Sequence, residues 1–261
     1  MSYLDTITTP DFLTQVRLGE IDGYSIEDKF GTRLSLSTSL IPITSVGTYQ
    51  TPTSAQSLEI LSSSGSDTAA GVGAQRVIVI GLSSTGAIQQ ESVVMNGTTA
   101  VALVNQYIRV FRMYVSSSGT YATLTAGSHV GTITLRGAGG GVSWAEISVH
   151  SGGLGLGQSQ IGCYTVPLGK TAILLSHDYS VDANKAVNLY FFKREDILDV
   201  TTPFQPMRLQ SVYHGITGGK NTPKLSRPSF PELTDIGFMG NTTTGTADCS
   251  VEFEMLLIDN A

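Results

Sequence analysis

Apolar and polar positions alternate with a period of two through most of this chain, and turn-forming residues break the alternation at short intervals. "RVIVIGL" (76–82), "ESVVMNG" (91–97), "YIRVFRMYVS" (107–116) and "GTITLRG" (131–137) are rich in β-branched or aromatic residues and bounded by Gly, Ser, Thr or Asn, which predicts strands. Within 107–116, Ile108, Val110 and Tyr114 alternate with Arg109, Phe111 and Met113, so both faces are partly apolar and the strand is expected to be packed on two sides. "MNGTT" (95–99) carries an Asn-Gly turn signal. Further along, "IGCYTV" (161–166), the turn "PLGK" (167–170) and "TAILLS" (171–176) read as a hairpin. "KAVNLYFFKRE" (185–195) alternates again, and "CSVEFEMLLID" (249–259) places Val251, Phe253, Met255 and Leu257 on one face against Glu252 and Glu254 on the other.

This pattern predicts an all-β protein of two antiparallel, jelly-roll-like β-sandwich domains with an extended N-terminal arm. "GAGGG" (137–141) and "HSGGLGLGQSQ" (150–160) interrupt the strands and put the domain boundary near 150. The expected division is an arm over 1–33, a first sandwich over 34–150 and a second over 151–261. The best helix signal is "TPDFLTQVRLG" (9–19), with Thr9 as N-cap, Pro10 at the first helical position and Gly19 as the stop. A helix of about three turns is marginal unless it packs on something.

The glycine-rich "SSSGSDTAAGVGAQRVIVIGL" (62–82) raises the question of a phosphate cradle. Such loops follow a strand and open a helix, whose N-terminus supplies amides and dipole. Here the glycines precede the strand and another turn and strand follow, so the loop is expected to be a corner. Other chemical motifs give as little. G-x-S-x-G, H-E-x-x-H, C-x-x-C and the EF-hand pattern are absent. His129, His150, His177 and His214 are scattered, and "SHDY" (176–179) reads as surface turn residues because strand neighbours point to opposite faces and cannot form a triad alone. Glu252 and Glu254 read as a solvated stripe rather than glycosidase carboxylates. Trp144, Tyr121 and Tyr213 are weak candidates for a glycan-stacking groove. Cys163 and Cys249 amount to neither a disulfide framework nor a zinc site; they read as reduced, buried hydrophobes, with one bridge open to them if they face each other. No catalytic residue, cofactor or metal is expected.

Composition sharpens this reading. Only 14% of residues are charged, against 41% hydrophobic, and Gly, Ser and Thr are abundant, so the surface is largely hydroxyl and amide. Neutral surfaces pack together without desolvating charges. The net charge of -6 argues against sequence-independent nucleic-acid binding, which needs a basic face. No apolar run reaches the length of a membrane span, and "MSYLDTITTPDF" does not read as a secretory signal. Charge is uneven, however. Residues 1–31 hold Asp5, Asp11, Glu20, Asp22, Glu27 and Asp28 against Arg17 and Lys29, whereas 203–231 hold Arg208, Lys220, Lys224 and Arg227 and no acid. The plain reading is two solvated segments; the sharper one is that the arm of one subunit, around Tyr24, Lys29 and Phe30, lies on the basic, proline-bounded loop of a neighbour carrying Arg208, Lys220, Lys224 and Arg227.

Several stretches in order along the chain resemble a family of tailed-bacteriophage virion structural proteins. They are "GEIDGYSIEDKFG" (19–31), "LEILSSSGSDTAAGVGAQRVIVIGL" (58–82), "ESVVMNGTTAV" (91–101), "YIRVFRMYVSSSG" (107–119), "YTVPLGKTAILLS" (164–176) and "FEMLLIDN" (253–260). The chain departs from the family before the strand at 76, where Gly-Ala-Arg is expected and Gly73, Ala74, Gln75 and Arg76 stand, and over 32–50, where the family is more acidic and aromatic. The resemblance implies a non-enzymatic virion component assembled in the host cytoplasm. Its implied partners are itself and other virion proteins, such as major capsid, portal or tail proteins, as capsid decoration, cement or collar. The alternative expectation is a host-recognition module binding a surface glycan.

Overall fold

The computed structural model describes residues 11–121, 123, 127–150, 155–182, 184–223 and 226–260. One short helix, α1 (Phe12–Arg17), precedes the strands. The first half of the strands is β1 (Tyr24–Leu36), β2 (Ile41–Pro42), β3 (Gln56–Ser62), β4 (Ala74–Leu82), β5 (Ile88–Val94), β6 (Val101–Tyr107), β7 (Arg109–Ser118), β8 (Ile133–Gly137) and β9 (Ser143–Ile147). The remainder is β10 (Cys163–Thr165), β11 (Lys170–Val181), β12 (Val187–Arg194), β13 (Arg208–Ile216), β14 (Gly219–Pro223), β15 (Ser229–Phe230), β16 (Asp235–Thr242) and β17 (Ala247–Asp259). The protein is all-β, and every strand pairing among the described residues is antiparallel.

Among the described residues the strands form four sheets. β6-β3-β8-β9 and β5-β4-β7 enclose a core of Leu58, Ile60, Val77, Val79, Met113 and Leu135 among others. β1-β17-β11-β14, with β15 also on β11, faces β10-β16-β12-β13, with β2 on β16. Between this second pair lies an aromatic core in which Phe191, Phe230, Phe238 and Phe253 sit edge-on or tilted to one another, the arrangement the ring quadrupole favours. Alternation along β17 produces this directly: Val251, Phe253, Met255 and Leu257 enter the core and Glu252 stays exposed.

The sheet containing β12 is buried on both faces. Leu189 and Phe191 point into the aromatic core, while Phe192 and Cys163 join the core of the other sandwich. In return, Leu82, Ile108 and Phe111, from the β4–β7 region, join the aromatic core. The outer face of β1, β17 and β11 is apolar at one end, where α1 covers it: Leu13 and Val16 pack with Ile26, Leu175 and Leu256. Six residues of helix survive because that stripe gives them something to cover.

Local details differ from expectation in four places. The N-cap of α1 is Asp11, whose carboxylate accepts from the Thr14 amide at 3.1 Å, while Thr9 and Pro10 lie outside the described residues. Gly19 ends the helical segment with φ +74° as anticipated. The segments 161–166 and 171–176 do not pair as a hairpin: β10 pairs with β16 and β11 with β17, so the Pro167–Lys170 turn carries the chain from one sheet to the other. The stretch 203–231 is not one loop, because β13 and β14 lie within it and join the two facing sheets separately. Finally, "SHDY" lies inside β11 rather than in a turn. Strand alternation sends His177 and Tyr179 inward, and the Tyr213 hydroxyl meets His177 Nε2 at 2.9 Å.

Candidate interaction surfaces

The glycine-rich corner before β4 is filled by its own carboxylate. Asp67 is wholly buried and accepts from Ser62 Oγ at 2.5 Å, from the Ala74 and Val130 amides through Oδ1, and from the Gly131 amide through Oδ2. The backbone donors that a phosphate would need are therefore engaged within the chain. Gly73 must be glycine for the same reason: a Cβ there would stand 2.0 Å from Asp67 Oδ1.

The residues expected at the acidic contact lie on β1, which is extended but docked along β17 from Tyr24↔Ile258 to Leu36↔Ala247. Tyr24, 37% exposed, meets the Phe12 ring edge-on at 5.3 Å. Phe30 is 36% exposed and lies in register with Glu252. Lys29, the neighbour of Phe30 in the chain, is 3% exposed and points to the seam between the sandwiches, where its Nζ donates to the Phe111 carbonyl and sits 5.6 Å over the Phe111 ring. Burial, with Arg112 adding like-charge repulsion, pushes its ammonium down from the usual 10.5 to about 7. Several of the acids are neutralised at home. Arg17 bridges Asp28 at 2.9 Å and Glu254 at 2.5 Å, and Arg112 meets Glu27 at 2.9 Å.

On the basic side, Arg208 pairs with Glu195, which also holds Lys193. Lys220 on β14 and Arg227 just before β15 are exposed, and Lys224 lies outside the described residues. Sheet order brings out what linear sequence hid: β1 is one edge of its sheet and β14 and β15 border the opposite side of β11. Lys220 and Arg227 thus lie on the side of the sheet opposite β1, whereas Arg208, on β13, belongs to the facing sheet. The structure also adds acids that came from distant strands. Glu252 and Asp178 are cross-strand neighbours on the same outer face as Phe30, in a shallow trough with Thr32 and Ser250.

The seam holds a second buried charge. Arg109 on β7 makes paired bonds to Asp235 on β16, both at 2.9 Å. Thr165 Oγ1 donates to the same carboxylate at 2.6 Å, and Tyr49 OH lies 2.7 Å from Thr165 Oγ1. Burial alone would lower the Arg109 guanidinium, but Asp235 holds it above its ordinary value.

The glycan-stacking candidates do not converge. Trp144 is 4% exposed and part of the core, Tyr213 is hydrogen-bonded to His177, and Tyr121 is 90% exposed. Cys163 and Cys249 are free and buried. Among the described residues no cluster of His, Cys, Asp and Glu is arranged to hold a metal, and no helix is long and apolar enough to cross a membrane.

Fold and surfaces together define an all-β, double-sandwich protein whose buried polar groups hold the fold together. No family model matches the chain, and no curated protein is similar to it. Among solved structures, the infectious bursal disease virus Gx strain is similar at 12% identity and TM-score 0.25, over 90% of this chain and 71% of that one. The Gt strain is similar at 11% identity and TM-score 0.21, over 97% and 83%. The PBSX exported protein XepA is similar at 10% identity and TM-score 0.19, over 88% and 86%. Superpositions this loose carry no argument about role.

Proposed function

We propose that this chain is a non-enzymatic structural component of a phage virion. It binds copies of itself and neighbouring virion proteins (major capsid, portal or tail) at the capsid surface or the head–tail junction. The observation that supports the self-association is that Lys220 and Arg227 lie at the edge of the sheet opposite β1, at whose start Glu20 and Asp22 are exposed. Glu20 and Asp22, exposed just before β1 on one copy, are complementary to Lys220 and Arg227 at the β14–β15 edge of the next. Such a contact is heterologous and closes into a ring or runs on as a lattice. Strand edges contribute main-chain hydrogen bonds, Tyr24 and Phe30 contribute apolar area, and Lys220, Lys224 and Arg227 set register. The virion setting draws on the sequence resemblance and on the hydroxyl-rich, weakly charged surface.

Sedimentation of the protein before and after Lys220→Glu, Lys224→Glu and Arg227→Glu together tests the contact. The expected result is loss of oligomer, with the parent oligomer weakening as salt rises. Unchanged oligomerisation in the triple variant rules the contact out. The number of copies per major capsid protein in purified particles separates decoration, with a simple fraction, from a collar, with one ring.

A further inference from the structure

The two sandwiches leave a cleft of about 680 Å³ between the second half of β1 and start of β17 on one side and the end of β9 with residues 155–160 on the other. Its size falls in the range of small-molecule sites, and junctions between packed units are where such sites are found. Arg33, Glu146, Asp248 and Gln158 bring charges and an amide into it, and Leu34 and Leu156 add exposed aliphatic surface.

These polar groups are held by neighbours in and beside the cleft. Arg33 Nη1 donates to the Ser45 carbonyl at 2.8 Å, and its Nε is buried with no hydrogen-bond partner among the described residues. One oxygen of Glu146 accepts from Ser148 Oγ at 2.6 Å. One oxygen of Asp248 accepts from the Ser35 amide at 2.8 Å. A cationic occupant would face Arg33, and an anionic one would face Glu146 and Asp248. A neutral occupant with alternating hydroxyl donors and acceptors meets both signs without conflict, while its C–H faces lie on Leu34 and Leu156.

We propose that this cleft binds a neutral, hydroxyl-rich carbohydrate unit. The aromatic residues Trp144, Tyr121 and Tyr213 take no part, and planar polar side chains replace an aromatic platform. The cleft shares Thr32, Arg33 and Leu34 with β1, but the substitutions that test it, at Glu146, Leu156 and Gln158, lie on neither β1 nor β14, so its test and that of self-association have separate readouts.

The probe is a panel of methyl glycosides of glucose, galactose, mannose and N-acetylglucosamine, read by saturation-transfer NMR on the full chain. Transfer to at least one glycoside is expected, weakened about tenfold by Glu146→Ala with Gln158→Ala, since each removes a polar partner from the ligand. Leu156→Arg, at an exposed position, is expected to block the cleft without disturbing the fold, and Tyr121→Ala to leave binding unchanged. No transfer from any glycoside, or transfer that survives both cleft variants, overturns the proposal.

Discussion

At the scale of single residues, the most informative side chain is Lys29. An amine buried against one carbonyl and one ring face, with Arg112 near, is poorly placed to carry charge. Its folded value of about 7 lies below the ordinary 10.5, so between those values the unfolded chain binds the proton and the folded chain does not. Stability therefore rises with pH across that window, and the full penalty is present below pH 7. Lys29→Met removes the penalty and keeps the volume. Urea midpoints taken across the window should show the variant more stable than the parent at the low end, with the gap closing toward the high end. A parallel pH dependence in both proteins would mean that Lys29 does not titrate there. In the sequence Lys29 looked like a surface cation in an acidic segment; nothing in its neighbours announced Phe111 and Arg112, which arrive from another sheet.

At the scale of elements, the corner before β4 shows how a polar group makes a turn rigid. Asp67 ties residues 62–74 to the segment just before β8 through Val130 and Gly131. Asp67→Asn turns one acceptor oxygen into a donor facing amides, so a loss of about 1–3 kcal/mol is expected in equilibrium unfolding. Gly73→Ala should be damaging too, because its Cβ meets the same carboxylate. A parent-like midpoint for Asp67→Asn would show that water replaces these bonds without cost. The sequence order of glycines, strand and turn was enough to exclude a phosphate loop, but not to identify Asp67 as what fills it. In the same way, strands such as 76–82 and 249–259 were legible from alternation, whereas β13 and β14 were not. The residues of β13 are mostly exposed, and β14 is the short polar run GKNTP, so no apolar periodicity marks either.

At the scale of the whole molecule, the two sandwiches are joined by shared apolar surface and by the Arg109–Asp235 pair. A bidentate pair of this kind fixes relative orientation more than it adds net stability. Breaking it from one side is a different matter: Arg109→Met leaves Asp235 buried with Thr165 as its remaining donor, and a loss of about 3–5 kcal/mol is expected by chemical denaturation. A change below the resolution of that experiment would mean that water reaches Asp235. If the pair aligns the sandwiches, the variant should also broaden the distribution of overall dimensions in small-angle scattering.

What the sequence determined alone was whatever depends on neighbours in the chain: the strand period, the two-sided burial of β7, the turn at Gly169 and the absence of local catalytic motifs. What only the tertiary structure decided was which strand lies beside which. That set β1 and β14 at opposite edges, buried Lys29, paired Arg109 with Asp235 and opened the cleft around Arg33. The physical reason is that backbone periodicity is a local property. Burial and charge pairing between residues far apart in the chain depend on the order in which sheets assemble, and many strand orders are compatible with one alternating pattern.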